Sequence, residues 1–145
     1  MDADVIIARL KARVADLGNR VAGAAEFAAL TATGKAPQVT PAAHVIPTGI
    51  AGGKHLTQTG AYVQSIDRLF AVILTLRTQD ASGARALARL DGLIEDIVQA
   101  LAGWELGGRV GVVVFRRAAL LRSTDGVFAY EITFSIADQL RITPS

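Results

Sequence analysis

The chain of 145 residues has no cysteine, a single methionine and a single tryptophan, and no long run of apolar residues. Without cysteine it can form neither disulfides nor thiolate metal sites, and it has no thiol nucleophile. The longest strongly apolar runs, residues 69–76 and 110–115, fall far short of the roughly 20 residues that a membrane-spanning helix needs. The acidic start has no basic segment followed by an apolar one, so no signal peptide is expected.

Charged residues are also scarce. They make up 19% of the chain, and 15 basic against 13 acidic residues leave a formal charge of only +2, which does not indicate a nucleic-acid-binding protein. Apolar residues make up 51%, which excludes an intrinsically disordered chain and slightly exceeds the content of an ordinary soluble domain. We therefore expect a single domain over residues 1–145 with apolar surface left for association with partners.

Two segments carry the period of an amphipathic helix. The first covers residues 5–21, with apolar positions Ile6, Leu10, Val14, Leu17 and Val21. The second predicts a helix of about twenty residues that ends near Gly103, with apolar positions Leu87, Leu90, Ile94, Ile97, Leu101 and Trp104. A short alanine-rich stretch at residues 24–30 predicts one or two further helical turns.

Four segments predict strands. Residues 42–46 lie between prolines and indicate an edge strand, whereas residues 70–76 are apolar on both alternations and indicate a central one. Residues 110–115 form another apolar run, and residues 128–136 alternate strictly between apolar and polar. Asp125-Gly126 precedes the last strand as a hairpin turn. The sequence thus predicts an α+β fold, a mainly antiparallel or mixed four-stranded sheet packed against two main helices.

Two further segments fit no buried element. Residues 48–66 are polar and glycine-rich without a lasting period, which predicts a long flexible loop that orders on a partner. Residues 116–130 predict a hairpin that protrudes beyond the sheet. Alternation along its first strand places Arg116 and Arg122 on one side and Arg117 on the other.

Signals for catalysis or cofactor binding are weak. The segment from Gly49 to Lys54 resembles a phosphate-binding loop, but Thr48 stands where the first glycine belongs and His55 where a serine or threonine should bind magnesium. His44 and His55 are the only histidines, and they have no cysteine beside them to complete a zinc site. We expect no enzyme activity, no cofactor and no metal.

The second helix also carries an acidic pair. Asp91 and Glu95 are four residues apart and therefore share one helical face. Two interpretations remain open for them: a solvated acidic face, or a patch that pairs with arginines of a neighbouring subunit.

The order of these features resembles the tail terminator proteins of long-tailed bacteriophages and of related tail-like particles. The segments that carry the resemblance are Val5-Ile6-Ile7-Ala8-Arg9-Leu10, Val21-Ala22-Gly23-Ala24-Ala25-Glu26-Phe27-Ala28-Ala29-Leu30, Pro41-Ala42-Ala43-His44-Val45-Ile46-Pro47, residues 70–76 and Ala100-Leu101-Ala102-Gly103-Trp104. The resemblance implies a structural virion protein that forms a hexameric ring on the tail tube, ends polymerisation of the tube and offers a surface to the head connector.

The same resemblance implies the partners. They are further copies of the chain, the tail tube protein, the head-tail connector and genomic DNA that passes through the ring without sequence-specific binding, and no membrane is involved. The protein would be assembled in the bacterial cytoplasm and reside in the neck of the virion. Two alternatives stay open: another neck protein that completes the head or connects it to the tail, and a small-molecule-binding α+β domain of the host.

The candidate contact residues follow from the sequence and not from the family. They lie in the expected hairpin, in the expected loop and on the acidic helix face. In that order they are Arg116, Arg117, Arg122 and Asp125; Gly52, Lys54 and His55; and Asp91 and Glu95.

Overall fold

The computed structural model describes residues 3–58, 60–79, 83–108 and 111–143. The helices in this part of the chain are α1 (Ala3–Arg13), α2 (Ala24–Ala32) and α3 (Ala84–Leu101), with a 3₁₀ turn, Ala15–Leu17, after α1. The strands are β1 (Val21–Ala22), β2 (Ala42–Gln58), β3 (Ala61–Arg77), β4 (Val113–Thr124) and β5 (Val127–Ile142). They form one mixed sheet in the order β1-β2-β3-β5-β4, in which β1 and β2 are parallel and the other pairs antiparallel.

The predicted α+β class is confirmed, whereas the predicted count of four strands and two main helices is too low. The additional strand, β1, has only two residues, and it exists because Val21 and Ala22 pair with Ala43 and His44 of β2. A strand of two residues is too short to show a periodic pattern in the sequence. The alanine-rich stretch forms a full third helix of 9 residues.

One face of the sheet, here called the helix-covered face, holds the core. Helices α1 and α3 pack against it, and α3 contributes six buried residues from a single stripe. The rings of Phe70 on β3 and Phe134 on β5 stack in the middle, with 5.2 Å between their centroids. Each fully buried side chain of this size adds about 1.5–3 kcal/mol of hydrophobic stabilisation.

The opposite side of the sheet, here called the second face, is only partly covered. Helix α2 packs there, and the ring of Phe27 lies 5.4 Å from the ring of His44 on β2. Next to His44, Ile73 and Thr75 of β3 are buried as well. The prediction of a central strand with both faces buried is therefore confirmed for β3, which lies between β2 and β5.

The predicted loop at residues 48–66 is wrong. Strands β2 and β3 run through this segment and pair from Gly49–Leu69 to Gln58–Ala61, and the end of β5 extends the pairing on the other side of β3. The result is a three-stranded extension, here called the arm, made of residues 49–58, 61–69 and 137–142. No described residue at positions 47–69 is buried. Because neither face of these strands meets a core, no apolar alternation marks them in the sequence.

The glycines of the arm have a specific role in this pairing. The register shifts between Gly52 and His55, which is the signature of a β-bulge. A Cβ atom on Gly53 would lie 3.2 Å from the carbonyl oxygen of Ser65, tighter than ordinary contact. The glycine-rich composition that suggested a loop thus permits close approach of two strands.

The hairpin at residues 116–130 exists, but it does not protrude. The first half of β5 pairs with the buried half of β3, from Val127–Arg77 to Phe134–Phe70, so the turn lies at the edge of the body. Asp125 and Gly126 both have positive φ, 54° and 72°, as a two-residue type I′ turn requires. The part of the sheet that extends beyond the body is the arm, at the end of β5 opposite to this turn, and the apolar runs of the sequence do not indicate that position.

Candidate assembly interface

Strand β4 forms one edge of the sheet and carries two irregularities. Its register against β5 shifts between Phe115 and Arg117 and again between Leu120 and Arg122. As a result Arg117 stands opposite Thr133 and Arg122 opposite Ala129, two β5 residues on the same face.

The third arginine joins them. Arg116 Nε donates a hydrogen bond of 2.7 Å to Ser135 Oγ, and Ser135 shares the alternation of Thr133 and Ala129. All three arginines therefore lie on the second face, and the prediction that Arg117 takes the opposite side is wrong. The bulges explain the difference, because each inserts an unpaired residue and resets the alternation.

The arginines of this basic face, Arg116, Arg117 and Arg122, form no salt bridge within the part of the chain that the structure describes. Arg122 Nε donates to Thr124 Oγ1 at 3.1 Å, which orients the guanidinium without neutralising it. The one acidic side chain on this part of β5 is Glu131, opposite Ala119. The face thus has a net positive charge available for a partner.

An apolar cleft of about 300 Å³ opens beside Arg122 on the second face. Its lining comes from α2, from the segment after it and from β3, β4 and β5: Phe27, Leu30, Thr31, Lys35, Ala36, Pro37, Ile73, Thr75, Leu121, Arg122, Val127 and Ala129. Only Lys35 and Arg122 bring charge to it. The cleft therefore combines an apolar floor with a basic rim.

One wall of the cleft is fixed by Arg77. Its Nε donates to the carbonyl of Pro37 at 2.7 Å and its Nη2 to that of Ala36 at 3.2 Å. Its backbone N–H also donates to Thr40 Oγ1 at 3.0 Å. These three bonds hold the segment after α2 against the sheet, so the cleft is preformed.

The edge strand itself exposes apolar side chains. Phe115 is 40% exposed, Leu120 50% and Leu121 55%. An exposed edge with unpaired backbone groups and large apolar side chains is a surface suited to another protein.

The arm carries the second group of predicted contact residues. The ring of His55 stacks on Tyr62 at 5.9 Å, the Tyr62 hydroxyl donates to Gln64 Oε1 at 2.9 Å, and Gln64 Nε2 donates to the carbonyl of Gly53 at 3.1 Å. Lys54 is exposed beside them. At the base of the arm, Arg68 and Asp138 form a salt bridge of 3.0 Å. Exposed apolar side chains of the arm are Ile50, Leu56, Leu140 and Ile142.

The structure does not bring Asp91 and Glu95 to either group, and it places Asp125 far from the arm. Asp91 and Glu95 are exposed on α3, on the helix-covered side of the sheet and thus on the other side from the basic face. Asp125 lies in the turn before β5, whereas the arm contains the far end of that strand. A strand of 16 residues spans about 50 Å, so the turn and the arm are far apart.

Sequence reasoning missed two components of these surfaces. Tyr62 and Gln64 brace the arm, and their alternation with Ala61 and Val63 was too weak to indicate a strand. Lys35 and Phe27 reach the cleft only because α2 folds onto the second face. No local pattern signals that contact.

The described residues also bear on metal binding and on membrane-spanning helices. Within these residues, no group of three or more His, Asp or Glu side chains could hold a metal ion. None of the described helices has the length and apolar character that crossing a bilayer requires. His44 is buried with no hydrogen-bond partner for Nδ1, and burial lowers the pKa of its ring, which the carboxylate of Glu26 partly opposes.

A comparison with protein families identifies the family of the chain. A sequence profile described as phage tail terminator protein matches residues 1–144. The chain belongs to this family. Its members are structural proteins of phage tails.

A solved structure with a similar fold agrees with this membership. It comes from the virion of a native gene transfer agent particle, with a TM-score of 0.50 and 17% sequence identity over 93% of this chain and 92% of that chain. At this identity the similarity concerns the fold alone. No curated protein matches the sequence.

Proposed function

We propose that this tail terminator family member forms a hexameric ring on the end of the phage tail tube, stops the tube from growing and offers the surface to which the head connector binds. The observation that carries the proposal is the match of the family profile to residues 1–144, almost the whole chain. The partners are then other copies of the chain, the tube protein and the connector. Genomic DNA passes through the ring without sequence-specific contacts.

Two exposed surfaces of the subunit support the proposal of a ring. A closed ring requires a heterologous interface, in which two different patches of each subunit meet. The basic face and the arm are two separate surfaces of this kind. The arm is the stronger argument for a partner, because a small sheet without a core on either face gains little stability by itself.

In this proposal the residues of the arm, Gly52, Lys54 and His55, contact the tube or a neighbouring subunit, and Arg116, Arg117 and Arg122 contact a neighbouring protein of the particle. Asp125 lies in the turn at the opposite end of β5 and would meet a different component. The protein acts in the virion neck after assembly in the bacterial cytoplasm, as a structural component without a catalytic step or a cofactor.

The test is electron microscopy of particles from a strain in which this gene alone is disabled, with the gene restored in trans as the control. We expect tubes of uncontrolled length beside filled, unjoined heads. Tails of normal length beside heads that fail to join would instead show a connector. Unchanged particles would overturn the structural role.

A further inference from the structure

We propose that the subunits of the ring associate through α3 of one copy, which lies across the second face of the next copy. Leu87 enters the apolar cleft, and Glu95 pairs with Arg117. This inference rests on the proposed ring and names the two surfaces that form its subunit contact.

The first surface is a stripe along α3. Leu87, Asp91 and Glu95 are spaced four residues apart and lie on one side of the helix. Leu87 is 42% exposed although it belongs to the most amphipathic helix of the chain. Neither carboxylate forms a salt bridge among the described residues, and Glu95 only accepts a hydrogen bond of 3.2 Å from Gln99. An apolar side chain is thus followed by two unpaired negative charges.

The second surface has the complementary order. The cleft, preformed by the bonds of Arg77, is large enough for a leucine side chain, and Lys35 and Arg122 form its rim. Arg117 follows on the same face of β4. Glu131, opposite Ala119 between the two arginines, is the one acidic side chain on this part of β5, so the apolar site is followed by a net positive charge, which favours an acidic, leucine-bearing partner over a basic or purely polar one.

The spacings of the two surfaces agree. From Leu87 to Glu95 a helix rises about 12 Å. From Ala129, the partner of Arg122, to Thr133, the partner of Arg117, an antiparallel strand advances about 14 Å. When Leu87 occupies the cleft beside Ala129, Glu95 therefore lies near Arg117, while Asp91, about 6 Å along the helix, lies between Arg122 and Arg117.

The positions of the two surfaces indicate that the partner on the second face is another copy of the chain. Helix α3 packs on the helix-covered face, whereas the cleft and the arginines lie on the second face of the same sheet. The α3 stripe of one subunit therefore cannot contact the cleft and the arginines of the same subunit. Repeating a contact from front to back generates the heterologous interface that a ring requires.

The absence of cysteine allows a direct test by cross-linking. The double variant Glu95→Cys/Arg117→Cys is produced in the particle-forming host, and purified particles are oxidised and analysed on a denaturing gel. We expect a ladder of cross-linked subunits, because the two positions lie on opposite sides of one subunit and can join only between copies. Asp96→Cys/Arg117→Cys is the matched control, since Asp96 is exposed on the other flank of α3, and we expect no ladder from it.

If the cysteine variant fails to assemble, exchanging the charges of Glu95 and Arg117 gives a second test. Glu95→Arg and Arg117→Glu should each lower the yield of particles with tails of normal length at least about tenfold, because close charge pairs across an interface couple this strongly. The double variant Glu95→Arg/Arg117→Glu should recover most of that loss. Asp96→Arg should have little effect.

Three outcomes would overturn this contact and leave the proposed function intact. The first is normal tails that contain the cysteine variant without a ladder. The second is a double charge variant no better than the single ones. The third is a Glu95→Arg variant that assembles normally while Arg117→Glu blocks only the joining of heads, which would assign the basic face to the connector. The microscopy of the disabled gene tests the proposed function separately.

Discussion

Replacing His44 by phenylalanine should stabilise the subunit and remove part of its sensitivity to acid. His44 is only 5% exposed, lies under the ring of Phe27 and has no hydrogen-bond partner for Nδ1. A buried polar atom without a partner costs about 1–3 kcal/mol. Phenylalanine keeps an aromatic ring against Phe27 and eliminates that atom. At about pH 8 we therefore expect His44→Phe to raise the free energy of unfolding by about 1 kcal/mol, with the slightly larger ring offsetting part of the gain.

The stability gained by His44→Phe should increase as the pH falls. Burial lowers the pKa of His44 below its ordinary value of 6.5, although the Glu26 carboxylate opposes the shift. Well above pH 6.5 the ring is neutral in both states and contributes no pH dependence. As the pH falls below the unfolded pKa, the unfolded chain binds the proton first, so stability is lost until the folded pKa is reached. The loss is at most about 1.4 kcal/mol per pH unit.

The assay is urea unfolding of wild type and variant near pH 8, 6.5 and 5.5 at one protein concentration, since self-association would also stabilise the folded state. The difference between the two proteins isolates His44 from the carboxylates, which titrate in both. His55→Phe is the matched control, because it makes the same substitution at a histidine that is exposed on the arm. A difference that stays constant from pH 8 to 5.5 would refute the argument.

Two further substitutions test the turn and the arm. Gly126→Ala should lower the free energy of unfolding by about 2–3 kcal/mol, because the φ of Gly126 is 72° and a Cβ would lie 2.8 Å from the Thr78 carbonyl oxygen. Gly60 has a φ of 88° and open space around it, so Gly60→Ala should lower the free energy of unfolding by only about 1 kcal/mol. Equal losses of the two variants in urea unfolding would contradict the close contact at Gly126. Asp138→Asn should cost about 0.5–1 kcal/mol by removing the partner of Arg68, and the gap to wild type should narrow in high salt; a gap that is independent of salt would show that the salt bridge contributes nothing.

The arm shows why part of the fold could not be predicted. Sequence patterns detect a strand when one or both of its faces are buried, and residues 49–58 and 61–69 have no buried side chain among those described. Residues 61–69 pair with β5, whose partner residues lie about seventy positions away, as in the Arg68–Asp138 contact, and residues 49–58 pair with β3. Only the folded chain shows this pairing.

The candidate contact residues were predicted in part. The arginines of β4 and the polar residues from Gly52 to His55 were identified as surface groups, and the structure places them on two exposed surfaces. Their role in assembly stays a prediction. The shared side of Arg116, Arg117 and Arg122 could not be derived, because the bulges that set it follow from pairing with β5 and not from any residue of β4 alone.

The sequence by itself determined the elements whose own side chains make the core: the α3 stripe, the apolar run of β3, the alternation of β5 and the turn at Asp125-Gly126. Burial imposes a period on these residues, and a period is visible without a structure. Only the tertiary structure decided the arm, the common face of the arginines and the cleft under α2. These features arise from contacts between distant segments, where backbone hydrogen bonds and packing select the partner and leave no periodic trace.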